Sequence, residues 1–205
     1  MTWRRVLRRL RGEGGYSLIE MLTVMVIMGV VMGSLTTVFV SASNSETDMN
    51  NRFQAQFTAR LALDKMRREV HCAKSATPAG VDTSAITLTL SWTQSDGTTF
   101  NCKTGSGLVT WCTRSVTTNR YALYRVVGST CVGGNKWADF LVSTATVPTC
   151  GSPTALCIFK YTAQSTSSLA KLHVDFPVNV RPAKTFERYE LVDDIALRNS
   201  ARTDP

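Results

Sequence analysis

The hydrophobic and polar positions fall into four rhythms along the chain. Met1–Gly15 is polar and arginine-rich, and it closes on Gly14 and Gly15. Tyr16–Val40, YSLIEMLTVMVIMGVVMGSLTTVFV, is apolar on every helical face and exceeds the about 20 residues a helix needs to cross a bilayer. No charged side chain occurs from Leu22 to Ser45. Asn44–Ala73 then lacks Pro and Gly, and Met49, Phe53, Phe57 and Leu61 recur at every fourth position. Leu63, Met66 and Val70 carry this stripe onward, which predicts an amphipathic helix. Asp64 is spaced to pair with Arg68 on its wet side. A continuous helix from Tyr16 to Cys72 would be 57 residues long, or about 85 Å at 1.5 Å per residue. ATPAG at Ala76–Gly80 ends it.

From Val81 the period shortens to two. AITLTLSWT alternates, QSDG supplies a turn and TTFNC returns, which predicts a hairpin. Further strands are predicted at Leu108–Arg114, Arg120–Val127, Trp137–Val142, Leu156–Thr162, Leu172–Arg181 and Phe186–Arg198, separated by Gly/Ser/Thr/Pro-rich loops. The fold class is therefore α+β, a long N-terminal helix packed on an antiparallel β-sheet. The domain boundaries read from these shifts are 1–15, 16–43 for the membrane helix, 44–75 for its amphipathic continuation and 76–205 for the β domain.

Charge adds an orientation. The formal net charge of +8 is concentrated at the start, where five arginines (Arg4, Arg5, Arg8, Arg9 and Arg11) face only Glu13. After the apolar run no arginine or lysine occurs until Arg52. This asymmetry places the N-terminus in the cytoplasm and the β domain outside, in a single-pass inner-membrane protein. The rest of the chain is only mildly basic. Lys65, Arg67, Arg68, Arg181, Lys184 and Arg188 are candidates for a DNA patch, but solvated surface charge explains them equally well.

Six cysteines, Cys72, Cys102, Cys112, Cys131, Cys150 and Cys157, include no C-x-x-C pair. Scattered through a Ser/Thr/Gly-rich region behind a membrane segment, they read as disulfides in an oxidising compartment rather than as a metal site. Only Cys102 with Cys112 is placeable, because CKTGSGLVTWC fits a hairpin; the other four stay unassigned. His173 and Asp175 alternate onto one strand face, whereas the neighbours Asp193 and Asp194 point to opposite faces. There is no G-x-S-x-G elbow, phosphate loop or metal motif. No enzyme activity and no cofactor are expected.

Glu20 remains to be explained. A carboxylate in a spanning helix costs about 2.5–3.5 kcal/mol at the bilayer centre by insertion scales. A secretory signal would have a shorter apolar core and a small-residue cut site behind it, whereas here the glycines come first. GYSLIE at Gly15–Glu20 resembles the processing signature of type IV prepilins and type II secretion pseudopilins. The resemblance implies cleavage by a prepilin peptidase between Gly15 and Tyr16, N-methylation of Tyr16, and a register-setting role for Glu20 in filament assembly. Once cut, the Tyr16 amine is mostly cationic at neutral pH, and a staggered neighbour's Glu20 would neutralise it. Gly29 and Gly33 form a G-x-x-x-G pattern that permits close helix approach.

Tyr16 stands where Phe is commonest in that family, and the span lacks the proline of many major pilins. With the large β region, these departures make the chain most like a J-type or PilW-like minor pilin. Retention of Glu20 argues against the tip subunit that lacks it. The expected partners are prepilin peptidase, sibling major and minor pilins, a membrane assembly platform with its ATPase, and the lipid bilayer. Whether such a machine builds pili, takes up DNA for competence or secretes proteins is not written in the residues. The competing expectation is an exported binding module, cut by signal peptidase near Ser43 at the small-x-small triplet Ser41-Ala42-Ser43.

Overall fold

The computed structural model describes residues 16–102, 107–150, 155–184 and 187–200. One helix, α1 (Leu18–Cys72), is followed by eleven strands. These are β1 (Ser75–Thr77), β2 (Asp82–Thr83), β3 (Ala85–Thr89), β4 (Ser91–Thr93), β5 (Thr99–Asn101) and β6 (Leu108–Thr117). The others are β7 (Arg120–Val127), β8 (Asn135–Leu141), β9 (Phe159–Thr162), β10 (Lys171–Val178) and β11 (Tyr189–Ala196). The chain divides into two compact units, Met1–Met49 and Asn50–Pro205, and α1 contributes to both.

In the first unit the helix starts at Ser17, whose carbonyl accepts the Glu20 and Met21 amides at 2.9 and 3.1 Å. Several of its hydroxyls bond carbonyls within the helix. Ser34 donates to Val31 O, Thr36 to Met32 O and Thr37 to Ser34 O, each at 2.8 Å. Such back-bonding lets Ser and Thr lie in an apolar medium without unpaired groups. The most apolar 18-residue window of α1 has a mean hydropathy of 2.2, and it is long and apolar enough to cross a membrane.

The second unit is a helix on a sheet. Nine strands form one sheet in the order β1-β3-β6-β7-β8-β10-β9-β2, with β11 also paired to β10, and β4 and β5 make a separate two-stranded ribbon. All pairings are antiparallel. The core side of α1 is lined by Ala55, Ala59, Ala62, Leu63, Met66 and Val70, against Ile86, Leu88, Trp111, Leu123, Leu141, Leu172, Val174 and Phe176. Three alanines lie on this buried face.

That face is not the one read from spacing. Phe53, Phe57 and Leu61 are 67%, 49% and 45% exposed, and Met49 is 74% exposed. Only the continuation through Leu63, Met66 and Val70 is core. The expected Asp64–Arg68 pair is replaced by Arg67, which bonds Asp64 at 3.1 Å and Asp193 of β11 at 2.8 Å.

The predicted 85–102 hairpin is also divided. Ala85–Thr89 pairs with β1 and β6, and only Ser91–Thr93 pairs with Thr99–Asn101. Cys102 therefore does not face Cys112 across a hairpin. The disulfides are Cys72–Cys102, Cys112–Cys131 and Cys150–Cys157. The Cys102 amide bonds Leu90 O, which turns this cysteine to the helix end, while Cys112 sits in β6 opposite Tyr124 of β7.

β11 is held by two elements. It pairs with β10 over eight residues. Basic side chains of α1 also reach it. Arg60 bonds the Tyr189 hydroxyl at 2.8 Å, Arg67 bonds Asp193, and His71 Nδ1 donates to Ala196 O at 2.9 Å. Arg52 pairs with Glu187 just before the strand at 2.6 Å. Asp193 and Asp194 point to opposite faces as expected, because Asp194 instead meets Lys171 and His173 on the far side.

Candidate functional site

The segment with the most unusual chemistry is the start of α1. Glu20 lies in its first turn, where a carboxylate favours the positive end of the helix dipole. Among the described residues its carboxylate takes part in no hydrogen bond or ion pair. Tyr16, Leu18, Ile19 and Met21 around it are 78%, 82%, 65% and 56% exposed. From there to Val40 every described side chain is exposed. Gly29 and Gly33 carry open space where a Cβ would stand, with no atom within 4 Å, so a second helix backbone meets no obstacle at them. Gly15 lies outside the described residues.

Phe53 and Phe57 stack at 6.1 Å between ring centroids. With Met49 and Leu61 they make an exposed apolar row on the same helix.

The opposite side of α1 is fixed by a residue the spacing did not single out. Glu69 is a carboxyl group buried to 1% exposure. Its carboxylate accepts the Trp111 indole N–H at 2.9 Å and the Arg125 guanidinium at 2.8–3.1 Å, with Lys65 at 3.2 Å. A signal was present, because Glu69 falls three residues after Met66 and seven after Ala62, in phase with the core.

Most of the remaining candidates form ion pairs. His173 bonds Asp194 at 2.8 Å rather than Asp175. Bonds from His173 and Lys171 hold the Asp194 carboxyl below the usual range. Of the basic residues considered for DNA, Lys65 pairs with Glu69, Arg67 with Asp64 and Asp193, Lys184 with Glu187 and Arg188 with Glu190. Among the described residues no group of three His, Cys, Asp or Glu side chains is arranged to hold a metal ion.

Comparison with known families finds one match. Residues 10–36 match the family described as the prokaryotic N-terminal methylation motif. The matched stretch spans Gly15, Tyr16, Glu20, Gly29 and Gly33. No curated protein and no solved structure matches the chain. The motif, followed by an apolar helix and a β domain, supports a type IV pilin-like protein anchored in a membrane. It implies processing by a prepilin peptidase and assembly with other pilins.

Proposed function

We propose that the chain is a minor pilin or pseudopilin, a structural subunit and not an enzyme. A prepilin peptidase cuts between Gly15 and Tyr16, the new Tyr16 terminus is methylated, and the protein waits in the cytoplasmic membrane with its β domain outside. An assembly platform then passes α1 from lipid into a helical filament of sibling pilins. The observation that carries this reading is Glu20. It is a lone carboxylate within the methylation motif, on a stretch of α1 whose side chains are exposed from residue 16 to residue 40, and it has no partner among the described residues.

The physical argument is one of exchange. In lipid the side chains of residues 16–40 are solvated by acyl chains, and in a bundle they are solvated by one another, so lipid burial is traded for helix–helix burial. The asymmetric term is Glu20, which is neutralised only when a staggered neighbour presents its amino terminus. A paired buried charge of this kind sets register more than it adds stability. The row Met49, Phe53, Phe57 and Leu61 extends the same requirement past the membrane, since large apolar side chains left in water favour burial by about 1.5–3 kcal/mol each.

The test is the N-terminal peptide mass of protein from its own membranes. A peptide starting at Tyr16 with one added methyl group is expected. Glu20→Ala is expected to reach the membrane at wild-type level but to be missing from sheared filament fractions. A peptide starting at Asn44 would replace this reading with an exported domain, and an intact Met1 would leave an ordinary membrane anchor.

A further inference from the structure

A second surface lies on the β domain. β8 is paired with β7 along one edge, but on its other edge it meets β10 only at Leu141↔Val178. Phe140 O accepts the Asn179 amide there, and no strand is registered beside Asn135–Asp139 among the described residues. An open ladder edge is a template for another extended backbone. It is flanked by a cavity of about 230 Å³ between Gln54, Ala55 and Thr58 of α1 and residues Lys136–Phe140 of β8, large enough to accept side chains from an added strand.

Two further features mark β8, one along its paired edge and one at Phe140. The β7–β8 ladder shifts register twice, between Tyr121 and Leu123 and between Leu123 and Tyr124. Bulges of this kind re-aim side chains at an edge. Phe140 is held at φ 61°, a left-handed conformation unusual for an aromatic residue. Asp139 Oδ1 accepts its amide at 2.7 Å, and the Arg120 guanidinium lies 3.9 Å from its ring centroid. Such strain persists only where the surroundings enforce it, and it concentrates at binding sites.

The charge at the edge selects the occupant. Arg120 and Lys136 share the single carboxylate of Asp139 at 2.8 Å each. Two cations against one carboxylate leave an excess of positive charge at the Asp139 end of the edge. Lys136 is the more exposed of the two, with half its side chain in water. In the same wall the Trp137 indole N–H has no hydrogen-bond partner, and this group can only donate.

We propose that the open edge of β8 receives an extended, acid-bearing segment of another polypeptide, which adds a strand beside Asn135–Asp139 and sets a carboxylate against Lys136. Backbone hydrogen bonds supply affinity, and the cation excess with the Trp137 donor selects acidic side chains. The proposal does not depend on the filament reading.

The probe is a random heptapeptide library displayed on phage and panned against the full-length chain in lipid nanodiscs. Enrichment of peptides that alternate apolar residues with Asp or Glu is expected. The synthetic consensus peptide should slow amide exchange at Asn135–Asp139. N-methylation of its alternate backbone amides should weaken binding at least about tenfold, as should Lys136→Glu, whereas Trp137→Phe should weaken it about threefold. Lys160→Glu, on β9, should leave affinity unchanged. No enrichment over empty nanodiscs, selection of basic peptides, or binding that ignores both backbone methylation and Lys136→Glu would overturn the proposal.

Discussion

Glu69→Ala gives the sharpest test of how α1 is held on the sheet. The substitution removes the carboxylate that faces Arg125, whose side chain is 14% exposed, and that accepts the buried Trp111 indole N–H. Removing one partner of a buried ion pair costs about 3–5 kcal/mol, because the other charge stays behind without compensation. At roughly 2–4 °C per kcal/mol for a domain of this size, the melting temperature should fall by about 6–20 °C. Thermal and urea unfolding of the full chain in detergent, followed by circular dichroism and tryptophan fluorescence, measures the loss. Glu69→Ala combined with Arg125→Ala should recover part of it, since the orphaned cation disappears with its partner. A loss below about 1 kcal/mol, or strictly additive single and double substitutions, would refute the claim that this cluster anchors the helix.

Three other outcomes are expected. Gly134→Ala should destabilise by more than about 2 kcal/mol in urea titrations, because Gly134 has φ +81° and a Cβ there would sit 2.5 Å from Arg125 O. Gly80→Ala, with similar φ but open space, should cost only about 1 kcal/mol. Burial, and then the charge of Glu190, raise the Asp175 carboxyl above its usual value, and its Oδ1 is buried without a partner. The folded state therefore favours the protonated acid. That stability is complete below the unfolded carboxyl's value near 3.9 and is lost as pH rises through the raised one, so Asp175→Asn should be more stable than wild type near neutrality, a gain that vanishes below about pH 4. Replacing Cys72 and Cys102 together by Ser opens a loop with a sequence separation of 30 and should cost about 3.5 kcal/mol. For Cys150 and Cys157, separated by 7, the loop-entropy figure is about 2.4 kcal/mol, and reduced and oxidised urea midpoints check both.

The helix was legible because an apolar run and a breaker-free amphipathic stretch leave no other local choice, and β7 because RYALYRVV is bounded by turns. β1 and β2, of three and two residues, are too short for any period to show and exist only because β3 and β9 offer them edges. The choice of helix face misled for a physical reason. Four large apolar residues at fourfold spacing look like a core, but the face this helix buries begins with alanines, and Ala55, Ala59 and Ala62 carry no hydrophobic signal strong enough to compete. Disulfide pairing was hidden because it depends on which strands are neighbours, and β5 chose β4 over β6. Glu69 was hidden because its partner Arg125 lies 56 residues away. GYSLIE, by contrast, was readable as it stands, since the motif is local.

The row Arg52, Arg60, Arg67 and His71 along β11 has a mechanical meaning. Tension drawn along α1 reaches the β domain through several side-chain bonds, spread along the axis and loaded in parallel, and then through the eight-residue β10–β11 ladder in shear. Shear loads a whole ladder at once, where peeling would break it bond by bond. The Cys72–Cys102 bridge covalently backs up the far end of the helix. Under the proposed assembly, a domain tied to its helix this way should resist being unravelled when the helix is pulled.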